Sequence, residues 1–132
     1  MILLDTSAAF ALADSADERH ADAIRLLEQI RSEKRVLFTH SYVLCEAFAL
    51  AQRRLGTDAA LDICARLRTL PLTVVDSDVH DRAITSLKST KRRPTSLVDA
   101  VSFVVMEDRG VEMAFAFDDD FVKGGFRLFG SR

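Results

Sequence analysis

Met1-Ile2-Leu3-Leu4-Asp5-Thr6-Ser7 is the stretch on which the reading of the chain turns. A short apolar run that ends in an acid is the pattern of a buried strand whose C-terminal end opens into a site. Burying a carboxylate is costly, so Asp5 requires a cation, a donor or a proton. Three later acids, Glu46, Asp99 and Asp118, also follow or interrupt apolar stretches.

Outward from that stretch, residues 1–5 read as the first strand, and Thr6 leads into a short helix over Ser7–Ala13. A second helix spans about 18–33, with Ala21, Ile24, Leu27 and Ile30 assigned to one face. Val36–Thr39 reads as strand two. From Ser41 to about Arg54 runs a helix apolar on nearly every side, which implies burial at the centre. Gly56 ends it, and Thr57 or Asp58 caps a fourth helix to about Arg68. Leu72–Val75 is strand three, and Ser77 caps a helix with Val79, Ala83, Ile84 and Leu87 as its stripe. Lys91-Arg92-Arg93-Pro94 breaks that helix. Thr95 or Ser96 opens the next, to about Asp108, with Gly110 as its C-cap. Met113–Phe117 is strand four, entering Asp118-Asp119-Asp120, and Phe126–Phe129 forms an edge strand. Strands alternating with helices imply an α/β sandwich with parallel pairing and right-handed crossovers.

The 132 residues suit one domain, 1–132, and 48% hydrophobic with 29% charged residues is ordinary globular composition. A formal net charge of −2 does not advertise a nucleic-acid binder. Cys45 and Cys64 lack metal-ligand spacing and read as free, buried thiols in a reducing cytoplasm. A secretory signal needs a basic region and a longer apolar run than the one Asp5 interrupts, so none is expected. No segment reaches the ~20 apolar residues of a membrane span. His20, His40 and His80 share no ligand spacing and read as surface residues. Ser7 has no Gly-x-Ser-x-Gly context, and no Walker or dinucleotide glycine pattern occurs.

Each acid has a plain alternative. Asp5 and Asp118 both suit capping of the helix that follows. Ser96-Leu97-Val98-Asp99 matches a capping box. Glu46 interrupts an apolar helix, where an unpaired glutamate is rarely buried, although it also fits a narrow exposed stripe with Gln52 and Arg53. Asp120 is either a further ligand or a solvated acid, and Asp119 reads as surface. Taken together, acids converging on one sheet edge cannot all stay ionised without a cation. Oxygen donors with no His/Cys set favour Mg²⁺ or Mn²⁺ over Zn²⁺. Arg53, Arg54, Lys88, Lys91, Arg92 and Arg93 flank the acidic helices in sequence, as phosphate contacts or as solvated helix ends.

The N-terminal Leu3-Leu4-Asp5-Thr6-Ser7, the Ser41–Glu46 helix start, the Ser96–Phe103 helix and Ala116-Phe117-Asp118-Asp119-Asp120-Phe121 with Gly125-Phe126 together resemble the PIN domain. The resemblance covers essentially the whole chain and is nearest to small stand-alone proteins of the VapC type, the toxins of toxin–antitoxin pairs. It implies a three-layer α/β/α sandwich with a central parallel five-stranded sheet of order 3-2-1-4-5. It also implies Asp5, Glu46, Asp99 and Asp118 as metal-binding acids, with Asp120 as a possible fifth and the Thr6 hydroxyl supporting them. The family often carries Thr or Ser two residues before the fourth acid, where this chain has Ala116. The implied activity is Mg²⁺- or Mn²⁺-dependent hydrolysis of RNA, leaving 5′-phosphate and 3′-hydroxyl ends, in a homodimer controlled by a cognate antitoxin. Two alternatives stand beside it. One is a PIN-like module that only binds RNA or a protein. The other is a phosphotransfer domain, for which Asp5-Thr6-Ser7 lacks a second Asp but Asp76 ends strand three.

Overall fold

The computed structural model describes residues 1–89 and 95–131. In chain order the elements are β1 (Ile2–Leu4), α1 (Thr6–Ala13), α2 (His20–Ser32), β2 (Leu37–His40), α3 (Ser41–Leu55) and α4 (Thr57–Leu67). They continue with β3 (Leu72–Thr73), α5 (Ser77–Ser89), α6 (Leu97–Arg109), β4 (Met113–Phe115), α7 (Asp120–Lys123) and β5 (Arg127–Leu128). The five strands form one sheet of order β3-β2-β1-β4-β5, and every neighbouring pair is parallel. This is the expected sandwich.

β1 lies at the centre because it is apolar on both faces: Ile2, Leu3 and Leu4 are all buried. Side chains alternate across a strand. Ile2 and Leu4 therefore join a core with Ala23, Leu26, Ile30, Ala47, Ala51, Ile63 and Leu67 from α2, α3 and α4. Leu3 joins the opposite core with Ala83, Ala100, Val101, Val104 and Val105 from α5 and α6. A helical layer covers each face.

Several local expectations change. On α2 the buried residues are Ala23, Leu26 and Ile30, whereas Ala21 and Ile24 are exposed. Steps of three residues advance about 300° each at 3.6 residues per turn, so Ala21 ends half a turn away from Ile30. α3 buries only Val43, Ala47 and Ala51. Cys45 on α3 is exposed and Cys64 on α4 is partly exposed, contrary to the buried thiols expected. Gly56, with φ of 95°, both closes α3 and precedes α4 without a side-chain cap, so Thr57 and Asp58 are not the capping residues. α5 is opened by Asp76, whose Oδ1 accepts from Val79 N at 2.9 Å, rather than by Ser77. β3 stops at Thr73, leaving Val74 73% exposed at the C-terminal edge.

Candidate active site

The C-terminal edge of β1 and β4 is where the acids gather. β1 pairs with β4 through Leu4 and Phe115, and the next amide, Asp5 N, donates to Phe115 O at 3.0 Å. Asp5 is the N-cap of α1 and is 3% exposed. Its Oδ2 accepts from Ser7 N at 3.2 Å and from Ser7 Oγ at 2.8 Å. Ser7 Oγ also accepts from Phe117 N at 3.0 Å. One hydroxyl thus ties the ends of both central strands together. The resemblance pointed to Thr6 for this support, but the Thr6 Oγ1 is buried with no hydrogen-bond partner among the described residues. The hydroxyl that meets the Asp5 carboxylate in the structure is that of Ser7.

Past β4, Ala116 and Phe117 lead into Asp118, whose Oδ1 accepts from Asp120 N at 3.1 Å and so shapes the turn into α7. Asp118 and Asp120 are half-buried, whereas Asp119 is exposed and pairs with Lys123 at 3.2 Å. On the neighbouring layer, Ser96 caps α6 by accepting from Asp99 N at 3.0 Å. Asp99 itself is buried in the first turn of that helix. Glu46 is half-buried in the second turn of α3. Capping and clustering are both realised, since Asp5 caps a helix and still belongs to the acidic group.

The acids feel one another. Asp99 is pushed up to about 7, first by burial and then by the charges of Asp5, Asp118, Asp120 and Glu46. Burial, and then Asp5, also raise Asp118, partly offset by the Asp120 amide. Asp5 is raised by burial, against the pull of Ser7 and the Thr6 backbone, and Glu46 adds to the rise. Acids from four separated segments are thus near enough for the charge of one to act on another.

Among the described residues, no group of three or more acidic, histidine or cysteine side chains is placed so that it could hold a metal ion as it stands. The donor set nevertheless fits a hard divalent cation. It is all oxygen, it carries several like charges in partial burial, and a cation is what lets those carboxylates ionise together.

His40 was read as a surface residue and is instead fully buried. Its Nδ1 accepts from Tyr42 N and Val43 N at 3.2 and 3.3 Å, capping α3. That fixes the tautomer with the proton on Nε2, which lies 2.8 Å from Ser102 Oγ. Ser102 stands one turn beyond Asp99 on α6 and its hydroxyl donates to Val98 O. Burial lowers His40 to about 4, so the ring is neutral. His40 therefore links the start of the Glu46 helix to the Asp99 helix. His20 and His80 are also partly buried, on Ala11 O and the Tyr42 hydroxyl respectively.

The basic residues distribute differently. Arg53 and Arg54 are exposed, two turns or about 10 Å of helix beyond Glu46. Arg54 packs over Phe10 at 5.3 Å. Lys91, Arg92 and Arg93 lie outside the described residues. Arg19 went unnoticed in the sequence, yet its Nη1 donates to Phe117 O at 2.6 Å, one residue before Asp118. No local motif signals a contact across 98 positions.

The model of the PIN domain matches residues 2–126. The 23S rRNA-specific endonuclease VapC20 of Mycobacterium tuberculosis, from two strains, is 40% identical over 128 residues, covering 96% of this chain and 95% of the relative. The crystal structure of M. tuberculosis VapC20, described as a sarcin–ricin loop cleaving toxin, aligns with a TM-score of 0.86 at 37% identity over 96% of both chains.

Proposed function

Because the chain belongs to the PIN domain family, we propose that it is a divalent-metal-dependent endoribonuclease that cuts the sarcin–ricin loop of 23S rRNA. It is a homologue of VapC-type toxin ribonucleases. The observation that carries the metal-dependent reading is Asp99, raised to about 7 first by its burial and then by the charges of four neighbouring acids. A site of that kind gains from a cation and is poorly arranged without one.

In this reading Asp5, Glu46, Asp99 and Asp118 hold the cation, and Asp120 adds a further carboxylate at the rim. A bound Mg²⁺ or Mn²⁺ would supply positive charge to the phosphate and acidify a water. Ser7 keeps the Asp5 carboxylate oriented and holds the β4 exit against it. Glu46, on a separate helix, is a ligand or the base that orients the attacking water. Attack on phosphorus with the 3′-oxygen leaving gives 5′-phosphate and 3′-hydroxyl ends.

The partner side of the proposal is an antitoxin that restrains a cytoplasmic homodimer built from one domain, residues 1–132. A cleft of about 360 Å³ is lined by Leu12, Ile24, Leu27 and Leu67, with Arg31 and Arg66 among its walls. Its chemistry suits an amphipathic helix carrying acids beside its apolar face.

The test is cleavage of a sarcin–ricin hairpin RNA and a scrambled hairpin with Mg²⁺, Mn²⁺ or EDTA. Cleavage of the first alone, stopped by EDTA and by Asp5→Asn in a folded protein, supports the proposal. A fully active Asp5→Asn enzyme, or no cleavage with either metal, overturns it.

A further inference from the structure

Arg19 has no role in the scheme above, and its geometry asks for one. It sits just before α2 in a loop braced by Ala16 N on Asp14 Oδ1 at 3.0 Å and by its own amide on Asp17 Oδ1 at 2.8 Å. His20 Nδ1 lies 2.7 Å from Ala11 O and pins the same loop to α1. From this fixed base the side chain reaches Phe117. Its Nη1 donates to the Phe117 carbonyl at 2.6 Å, and the guanidinium carbon lies 5.3 Å from the Phe117 ring centroid. The Phe117 amide is bonded to Ser7 Oγ, which is bonded to Asp5. Two hydrogen-bonded residues therefore separate this cation from Asp5, the acid that follows β1.

The placement is unusual in its charge. Arg19 is exposed, and among the described residues it forms no ion pair, although its anchor is the residue next to Asp118. A guanidinium offers five donors in a planar fork, and the carbonyl uses only one nitrogen. A nucleic-acid strand entering a cluster of acids is repelled on either side of the phosphate that the cation neutralises. A rigidly held guanidinium at the rim removes that repulsion for the adjoining phosphate, which it can grip through two parallel bonds.

We propose that Arg19 binds the RNA phosphate adjoining the scissile one and so positions the strand over the acidic site. The inference rests on the ribonuclease reading. The competing role is a structural clamp between the α1–α2 loop and the β4–α7 segment.

The experiment measures kcat/KM for the sarcin–ricin hairpin between about 50 and 200 mM salt with wild type, Arg19→Lys and Arg19→Gln. Unfolding midpoints of the three are measured in parallel. Arg19→Gln is expected to lose about ten- to a hundredfold in kcat/KM, the worth of a charged hydrogen bond to phosphate. Its slope of log kcat/KM against log salt falls by about 0.7, one phosphate contact on a single strand. Arg19→Lys keeps the slope and recovers part of the rate. An unchanged rate and slope in Arg19→Gln overturns the proposal, as does an equal loss in both variants that follows their unfolding midpoints. These results leave the nuclease assignment standing as long as wild type cleaves and Asp5→Asn does not. A wild type that cleaves nothing overturns both.

Discussion

Replacing Asp99 with Asn should make the protein inactive and more stable. Asp99 is 9% exposed in the first turn of α6, and burial with four neighbouring acids lifts it from 3.8 to about 7. A raised value in the folded state means that the native protein keeps a proton the unfolded chain releases. The resulting stability is full below 3.8, declines as pH rises, and is gone once pH passes about 7. The difference between the two values, at about 1.4 kcal/mol per pH unit, bounds the cost of ionised Asp99 at roughly 4 kcal/mol. Asn removes that cost but keeps a buried amide, which takes back about 1–3 kcal/mol. A net gain of about 2 kcal/mol at pH 8 is expected, or roughly 6–10 °C in Tm. At about pH 4 the gain should vanish, because native Asp99 is neutral there as well. Urea unfolding of both proteins in EDTA across this range reads the difference directly. A difference between them that does not change with pH, or an Asn variant less stable at pH 8, would refute the reasoning.

Two further perturbations separate the supports of the site. His40→Ala removes the α3 cap and the Ser102 bond and should cost about 3 kcal/mol by denaturant unfolding. In wild type, burial depresses His40 from 6.5 to about 4, so the unfolded chain takes a proton that the native state refuses. Stability carried by His40 is then lost as pH falls from 6.5 to 4. Wild type minus His40→Ala should show that slope, and its absence contradicts the buried neutral ring. Ser7→Ala strips Asp5 of a hydroxyl donor and orphans the Phe117 amide, which should cost about 1–3 kcal/mol and lower kcat more than it raises KM. A variant equal to wild type in both respects would remove Ser7 from the site.

The features legible in the sequence were those carried by local chemistry. Three apolar residues before Asp5 are read correctly as a buried strand because a parallel strand is covered on both faces. Ser96 and Gly110 bracket α6 as capping rules require. Alternating strands and helices yield the class, but the strand order followed from likeness to the PIN family, not from any periodicity. What stayed hidden depends on contacts made at a distance. His40 looks polar in a list of residues and is buried only because the α3 amides and Ser102 satisfy its ring. The choice between Thr6 and Ser7 turns on which hydroxyl faces the β4 exit. Arg19 meets Phe117 only after α1, α2 and the whole sheet are in place.

The central claim is that carboxylates from four segments form one cation site, and Mn²⁺ titration calorimetry in buffers of differing ionisation enthalpy tests it most directly. At about pH 6.5, native Asp99 is mostly protonated, so binding should release up to roughly three-quarters of a proton. The account expects Mn²⁺ binding with that release in wild type, and loss of binding in Asp5→Asn and Asp118→Asn. Wild-type protein that takes up no Mn²⁺, or variants that bind it as wild type does, would contradict it.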